Sequence, residues 1–143
     1  METRTYRTST LWRTLYLVVI LLMLAVAASR FFGFGPAAGR TDSIRAIFPF
    51  LVALSLIVRL LTYRITLGTD SIELAHDLRS THINYDAVDR LELHENSANV
   101  VSGSGTIKIK REVADHRELI AELLKRVESI PHVKIIGSRE EYS

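Results

Sequence analysis

Five histidines, His76, His82, His94, His116 and His132, are the residues best suited to catalysis or metal binding in this chain. None falls at an HxH or HExxH spacing, so no zinc site is written locally. His82 and His94 would have to meet across strands, and isolated surface histidines are the expected arrangement. Asp86 and Asp89 are near neighbours, but a short turn leading into a strand accounts for both without paired-carboxylate chemistry. Gly103-Ser104-Gly105-Thr106 lacks the lysine and the spacing of a phosphate-binding loop and reads as a hairpin turn. There is no Gly-x-Ser-x-Gly elbow. The absence of cysteine removes disulfides, thiolate zinc sites, iron–sulfur clusters and thiol nucleophiles. The expectation is a protein with no catalytic residue, no metal site and no cofactor, not an enzyme; a membrane-bound hydrolase is the remote alternative.

What remains is cationic. Lys108 and Lys110 are two apart in a strand-like stretch and share one face, while Ile107 and Ile109 share the other. With Arg111, and with Arg59 and Arg64 nearer the apolar segments, they make a candidate contact for lipid phosphates or for a partner. A cation near an anionic surface contributes about 1 kcal/mol.

The elements that must position these groups differ sharply along the chain. The 143 residues are 48% hydrophobic and 24% charged with a formal net charge of +2, which averages two unlike halves. Residues 1–64 hold eight Arg against Glu2 and Asp42, a net +6; residues 65–143 hold ten Lys and Arg against fourteen Asp and Glu, a net −4. Positive charge flanking apolar runs sets membrane topology, and no nucleic-acid partner is expected.

Leu15 to Ala28 is apolar throughout and bounded by Arg13 and Arg30, with Trp12 and Tyr16 at one end and Phe31, Phe32 and Phe34 at the other. This predicts a spanning helix from Leu11 to about Phe32, and the lack of a polar face argues against a buried core helix. Ile44 to Tyr63 supplies twenty residues, about 30 Å of helix, matching the hydrocarbon thickness. Thr41, Asp42 and Ser43 offer N-caps, Pro49 falls early, and Arg59 reads chiefly as a snorkelling end residue. Gly33 to Gly39 is rich in breakers, so the helices form an antiparallel hairpin. Five arginines flank its two ends (Arg4, Arg7, Arg13, Arg59, Arg64) against three in its loop (Arg30, Arg40, Arg45), favouring cytoplasmic termini. Competing readings take residues 1–28 as a signal peptide ending at Ala25-Val26-Ala27-Ala28, or the acid-poor start as a mitochondrial presequence.

From Tyr63 the apolar period becomes two. Strands are expected at 63–67, 72–74, 82–85, 88–94, 96–101 and 106–110, with turns at Gly68-Thr69-Asp70 and Ser102 to Gly105. Asp115 and Glu118 resemble a capping box for a helix whose stripe is Leu119, Ile120, Leu123, Leu124, Val127 and Ile130, ended by Pro131. Arg117, Glu122, Lys125, Arg126 and Glu128 are assigned to its solvent side. Val133 to Ile136 is a short final strand and Arg139 to Ser143 a frayed tail.

This order of elements carries a resemblance. Two apolar helices, then "YRITLGTDSIEL", "INYDAVDRLEL", a hairpin ending "GTIKIKR" and a helix "DHRELIAELLKRV" resemble the small bacterial membrane proteins with a pleckstrin-homology-like (PH-like) domain. The resemblance covers about residues 1–130. It implies an α+β membrane protein: a transmembrane hairpin (1–62), then a small antiparallel PH-like β-barrel (63–143) capped by one C-terminal helix. It further implies a multi-pass protein of the bacterial inner membrane and a non-enzymatic interaction or assembly module. Such a module would have a membrane or cytoplasmic protein partner, as an accessory subunit of a larger complex. A lipid sensor using Lys108, Lys110 and Arg111 is the alternative. One departure stands out: a full PH fold has seven strands before its helix, and only six are countable from Tyr63 to Arg111. Either a degenerate strand lies near Asp77 to Ser80 or the barrel is reduced.

Overall fold

A computed structural model describes residues 2–32 and 40–142, the side chains of residues 40–43 excepted. The turn expected at Gly33 to Gly39 lies outside the described residues, as does Ser143. The chain divides into two compact units: residues 10–62, and a second in which residues 1–9 join residues 63–143. The first nine residues, grouped with the hairpin on sequence grounds, thus belong with the sheets.

The helical unit consists of α1 (Thr10–Phe31) and α2 (Arg40–Thr62), packed on one another. Ile20, Ala27, Ala46 and Ala53 are buried between them, and the small alanines permit close approach of the two backbones. The second helix begins at Arg40, so Thr41, Asp42 and Ser43 are helical residues rather than N-caps, and it runs through Pro49. Thr10–Phe31 and Ile44–Thr62 are each long and apolar enough to cross a membrane, with only 11% and 17% of the most apolar stretch of each buried. A core helix of a water-soluble domain would hide most of that surface. Here Leu21, Leu22, Phe48 and Leu51 are all exposed.

The sheet unit opens with β1 (Arg4–Arg7), ahead of the helices in sequence. It continues with β2 (Arg64–Leu67), β3 (Ser71–His76), β4 (Arg79–Asn84), β5 (Val88–His94), β6 (Ser97–Ser102), β7 (Gly105–Ile109), α3 (His116–Glu128) and β8 (Lys134–Ile136). One sheet has the order β1-β2-β3-β4, all antiparallel; the other is β7-β6-β5-β8, in which β8 runs parallel to β5. Among the described residues no ladder joins β4 to β7, so the sheets remain open and the expected closed barrel is not formed. One corner is stitched: Thr8 bridges Val113, the Ser9 amide donates to the Glu112 carbonyl (2.8 Å), and the Ala114 amide donates to the Arg7 carbonyl (2.7 Å).

Alternation places every second side chain inward. Tyr6, Ile65 and Leu74 form one cross-strand row, Leu67, Ile72 and Ile83 the next, and Leu91, Val100 and Ile107 answer from the other sheet. Leu119, Ile120, Leu123, Leu124 and Val127 of α3 complete this single core. The additional strand is therefore β1, not a degenerate strand at Asp77 to Ser80. Asp77 and Leu78, at φ 47 and 63, instead make the two-residue turn between β3 and β4. The frayed tail is also corrected. Tyr142 is buried with its hydroxyl donating to the His94 carbonyl, and Arg139 pairs with Glu128 at 2.9 Å. Gly137, at φ 111, admits that return because a Cβ there would strike the Leu93 carbonyl.

Candidate functional site

The helix α3 starts without the expected capping box. Asp115 is left-handed (φ 52) and its side chain caps nothing, while Glu118 accepts instead from Arg4 Nη1 at 2.7 Å. His116 follows at the first helical position with Nε2 buried and unpartnered. Burial, then the charges of Arg117 and Arg111, hold its imidazole below the ordinary value of 6.5, against smaller opposing pulls from the Val113 backbone and from Asp115. The unfolded chain thus takes the proton more readily than the folded one. Stability from this group is complete above about pH 6.5 and is lost as pH falls through the depressed folded value. The melting temperature of the full chain in detergent should fall between about pH 7 and pH 5, and His116→Gln should flatten that slope. An unchanged slope in the variant would refute the assignment.

The charge of Arg126 predicts a solvent-facing side chain, yet that side chain is 2% exposed. Its Nε and Nη2 donate to Glu122 Oε1 (3.2 and 3.1 Å) and Nη2 donates to the Glu2 carbonyl (3.0 Å). Nη1 donates to the Gly68 carbonyl and to the Tyr85 hydroxyl (3.4 Å), which itself donates to Gly68 at 3.0 Å. All five guanidinium N–H groups are thereby committed within the protein. The polar cleft alongside, about 230 Å³ and walled by Thr69, Asp70, Tyr85, Asp86 and Ser129, has a clamp at its base rather than a vacant donor. The larger cleft, about 670 Å³ between α1 and α2, is lined by Leu24, Ala27, Phe31, Ile47 and Phe50 and offers no reactive group. Among the described residues no group of three potential metal ligands converges. His82 lies in the first sheet and His94 in the second, without pairing.

The five cations singled out from the sequence separate. Arg59 is half-buried in α2. Lys108 is exposed on β7 between the buried Ile107 and Ile109. Across the ladder it faces Asn99, which faces Glu92 in turn. That carboxylate accepts from Asn99 Nδ2 (3.3 Å) and Arg90 Nε (2.7 Å) and is held below the usual carboxylate range by those two contacts. The row containing Lys108 is thus a mixed-charge face, not a cation cluster.

Arg64, Lys110 and Arg111 come together elsewhere, at the end of the sheet unit where Ser9 and Tyr63 carry the chain to and from the helices. Arg7 is the direct cross-strand partner of Arg64, Arg64 of Ala75, and Arg79 of His76, which puts the start of β4 at this end too. Lys110 and Arg111 precede the stitched corner at Glu112 and Val113. All five cations are exposed, and no ion pair among the described residues engages them. Arg7 and Arg79 were not selected from the sequence, because only strand register brings positions this distant to one rim. No protein-family model matches the chain, and neither curated proteins nor solved structures provide a match.

Proposed function

We propose that this chain is a two-span membrane protein carrying a PH-like, non-enzymatic interaction module. The observation that carries the reading is the pairing of β1 with β2 across the helical unit. Strands formed from before and after two apolar helices must lie on one side of a bilayer, so a spanning pair crosses twice and returns. Cleavage after Ala28 would remove β1, which speaks against the signal-peptide alternative. Four strands in one sheet and three in the other precede α3, with β8 added after it, which supports the PH-like reading. The arginine count favours the cytoplasmic side of a bacterial inner membrane for the module. Two spanning helices tether the domain without need of an independent membrane affinity, leaving its outer faces for a protein partner, as in an accessory subunit.

Because the chain has no cysteine, single-cysteine variants report topology cleanly. Thr3→Cys and Ser138→Cys should react with an impermeant maleimide from the same side of the membrane and Ala37→Cys from the opposite side. Reaction of all three from one side would overturn the spanning reading. Chemical crosslinking in membranes before purification in mild detergent tests the partner. A lone monomer recovered across several detergents would overturn the accessory-subunit reading.

A further inference from the structure

Two features of the basic rim are unfavourable in water. Arg7 and Arg64 are directly opposite across β1 and β2, where like charges repel. At the β3–β4 turn on the same end, Leu78 adopts φ 63 with 84% of its surface exposed. A branched side chain is disfavoured in that conformation, and a two-residue hairpin turn is better served there by glycine. Local violations of this kind concentrate at functional surfaces.

One surface answers both features: headgroup phosphates satisfy the arginines, and the acyl boundary receives the leucine. We propose that the rim of Arg7, Arg64, Leu78, Arg79, Lys110 and Arg111 docks onto an anionic phospholipid bilayer, with Leu78 as its apolar tip. The proposal rests on the reading of α1 and α2 as spanning helices, since chain continuity then delivers this end of the sheet to the bilayer surface. Charge distribution selects the rim over the rest of the domain. The sheet unit carries thirteen Lys and Arg against fifteen Asp and Glu, so its average charge is repelled by anionic lipid. Asp70 and Asp86 lie at the opposite end of the first sheet, beyond Leu67 and Asn84. The rim acids are Asp77, Glu112, Asp115 beside the Ala114–Arg7 bond and Glu95 in the β5–β6 turn next to Lys110, four against the five cations, and Asp77 and Glu112 have interactions of their own, including a His76–Asp77 contact at 3.3 Å. Docking by this end leaves the cleft beside Arg126 turned away from the lipid, so anionic lipid content governs how that cleft is presented to a protein partner.

The test uses the full chain in nanodiscs with a nitroxide on Leu78→Cys, and reference labels on Leu21→Cys in α1 and Thr69→Cys in the β2–β3 turn at the opposite end of the first sheet. In discs containing about one-third phosphatidylglycerol the label at 78 should be reached by oxygen in preference to a water-soluble nickel relaxant. In phosphatidylcholine alone it should return to water. Arg7→Ala, Arg64→Ala and Arg79→Ala together should shift the docked population about a hundredfold, near fivefold for each cation, while the label at 69 stays aqueous and unchanged. A label at 78 that is aqueous in anionic discs, with the label at 21 in lipid, overturns the proposal and leaves the spanning reading intact. An aqueous label at 21 overturns both. A label at 78 shielded from both reagents in either lipid marks a protein contact and also overturns it. Independently, Leu78→Gly should raise the thermal midpoint in neutral detergent, and a fall would show that packing, not docking, retains the leucine.

Discussion

A chain in which a short Gly-Ser linker of about six residues replaces residues 10–62 should fold in water as a soluble monomer with cooperative unfolding, and residues 63–143 alone should not. The difference is β1. Its Tyr6 is buried against Ile65 and Leu74; a fully buried large apolar side chain contributes roughly 1.5–3 kcal/mol, offset in part here by the unpartnered buried hydroxyl. Its ladder to β2 and the bonds at Arg7, Thr8 and Ser9 add several hydrogen bonds at about 1 kcal/mol each. Together these approach the 5–15 kcal/mol that roughly spans the whole stability of a domain. Without β1 the chain also bares β2 as a new edge, an invitation to intermolecular pairing. The linker is feasible because Arg7 and Arg64 are cross-strand partners, with α-carbons about 5 Å apart by ladder geometry. Urea titration followed by the near-ultraviolet tyrosine signal compares the two chains. Equal transition midpoints would show that β1 contributes nothing.

The same strand marks the boundary of what the sequence discloses. Period-two alternation is a local signal, and it located six strands from Tyr63 onward to within a few residues. Long uninterrupted apolar runs announced both helices for the same reason. "RTYR" has a single inward apolar side chain, Tyr6, between two arginines, so nothing within it distinguishes a strand from a basic membrane flank. Its partner in the ladder lies beyond both helices, and such pairing is invisible without register. The basic rim was half legible. Arg64, Lys110 and Arg111 stood out by charge, but Arg7 and Arg79 join them only through cross-strand pairing, and Leu78 is conspicuous only for its backbone angle and exposure. Lys108 alternates with buried isoleucines as its spacing predicts, yet its neighbours across the ladder, Asn99 and then Glu92, change its meaning. Arg126 is legible from its position. It is seven residues after Leu119 and three after Leu123, on the apolar stripe, with Glu122 four residues before it. Position along the stripe, not charge type, decides its burial.

Arg126→Ala should be the most damaging single substitution in the sheet unit, with an expected loss of about 3–5 kcal/mol. The value follows from what is left behind rather than from the pair's own attraction. Removing the guanidinium strands the Glu122 carboxylate, 22% exposed, and deprives the carbonyls of Gly68 and Glu2 of a donor. Those two carbonyls belong to the β2–β3 turn and to the segment leading into β1, which meet at the end of the first sheet where Arg4 pairs with Leu67, so the clamp ties α3 to both strands there. A loss of this size approaches the total stability of a small domain, so the variant should be largely unfolded or sharply lowered in melting temperature. Arg126→Lys should recover only part of it, since an ammonium cannot present a planar fork to Glu122 while reaching the other acceptors. The decisive comparison is the double variant Arg126→Met with Glu122→Gln, which fills the volume and removes the stranded charge together. Replacing a buried pair by groups that need no counter-charge is often close to neutral, so this variant should be markedly more stable than Arg126→Ala. Equal destabilisation in the two would locate the contribution in the carbonyls of Gly68 and Glu2 and not in the ion pair. Denaturant midpoints on the linker-closed soluble chain give the ranking directly, because that chain retains Glu2, Gly68 and Arg126 together.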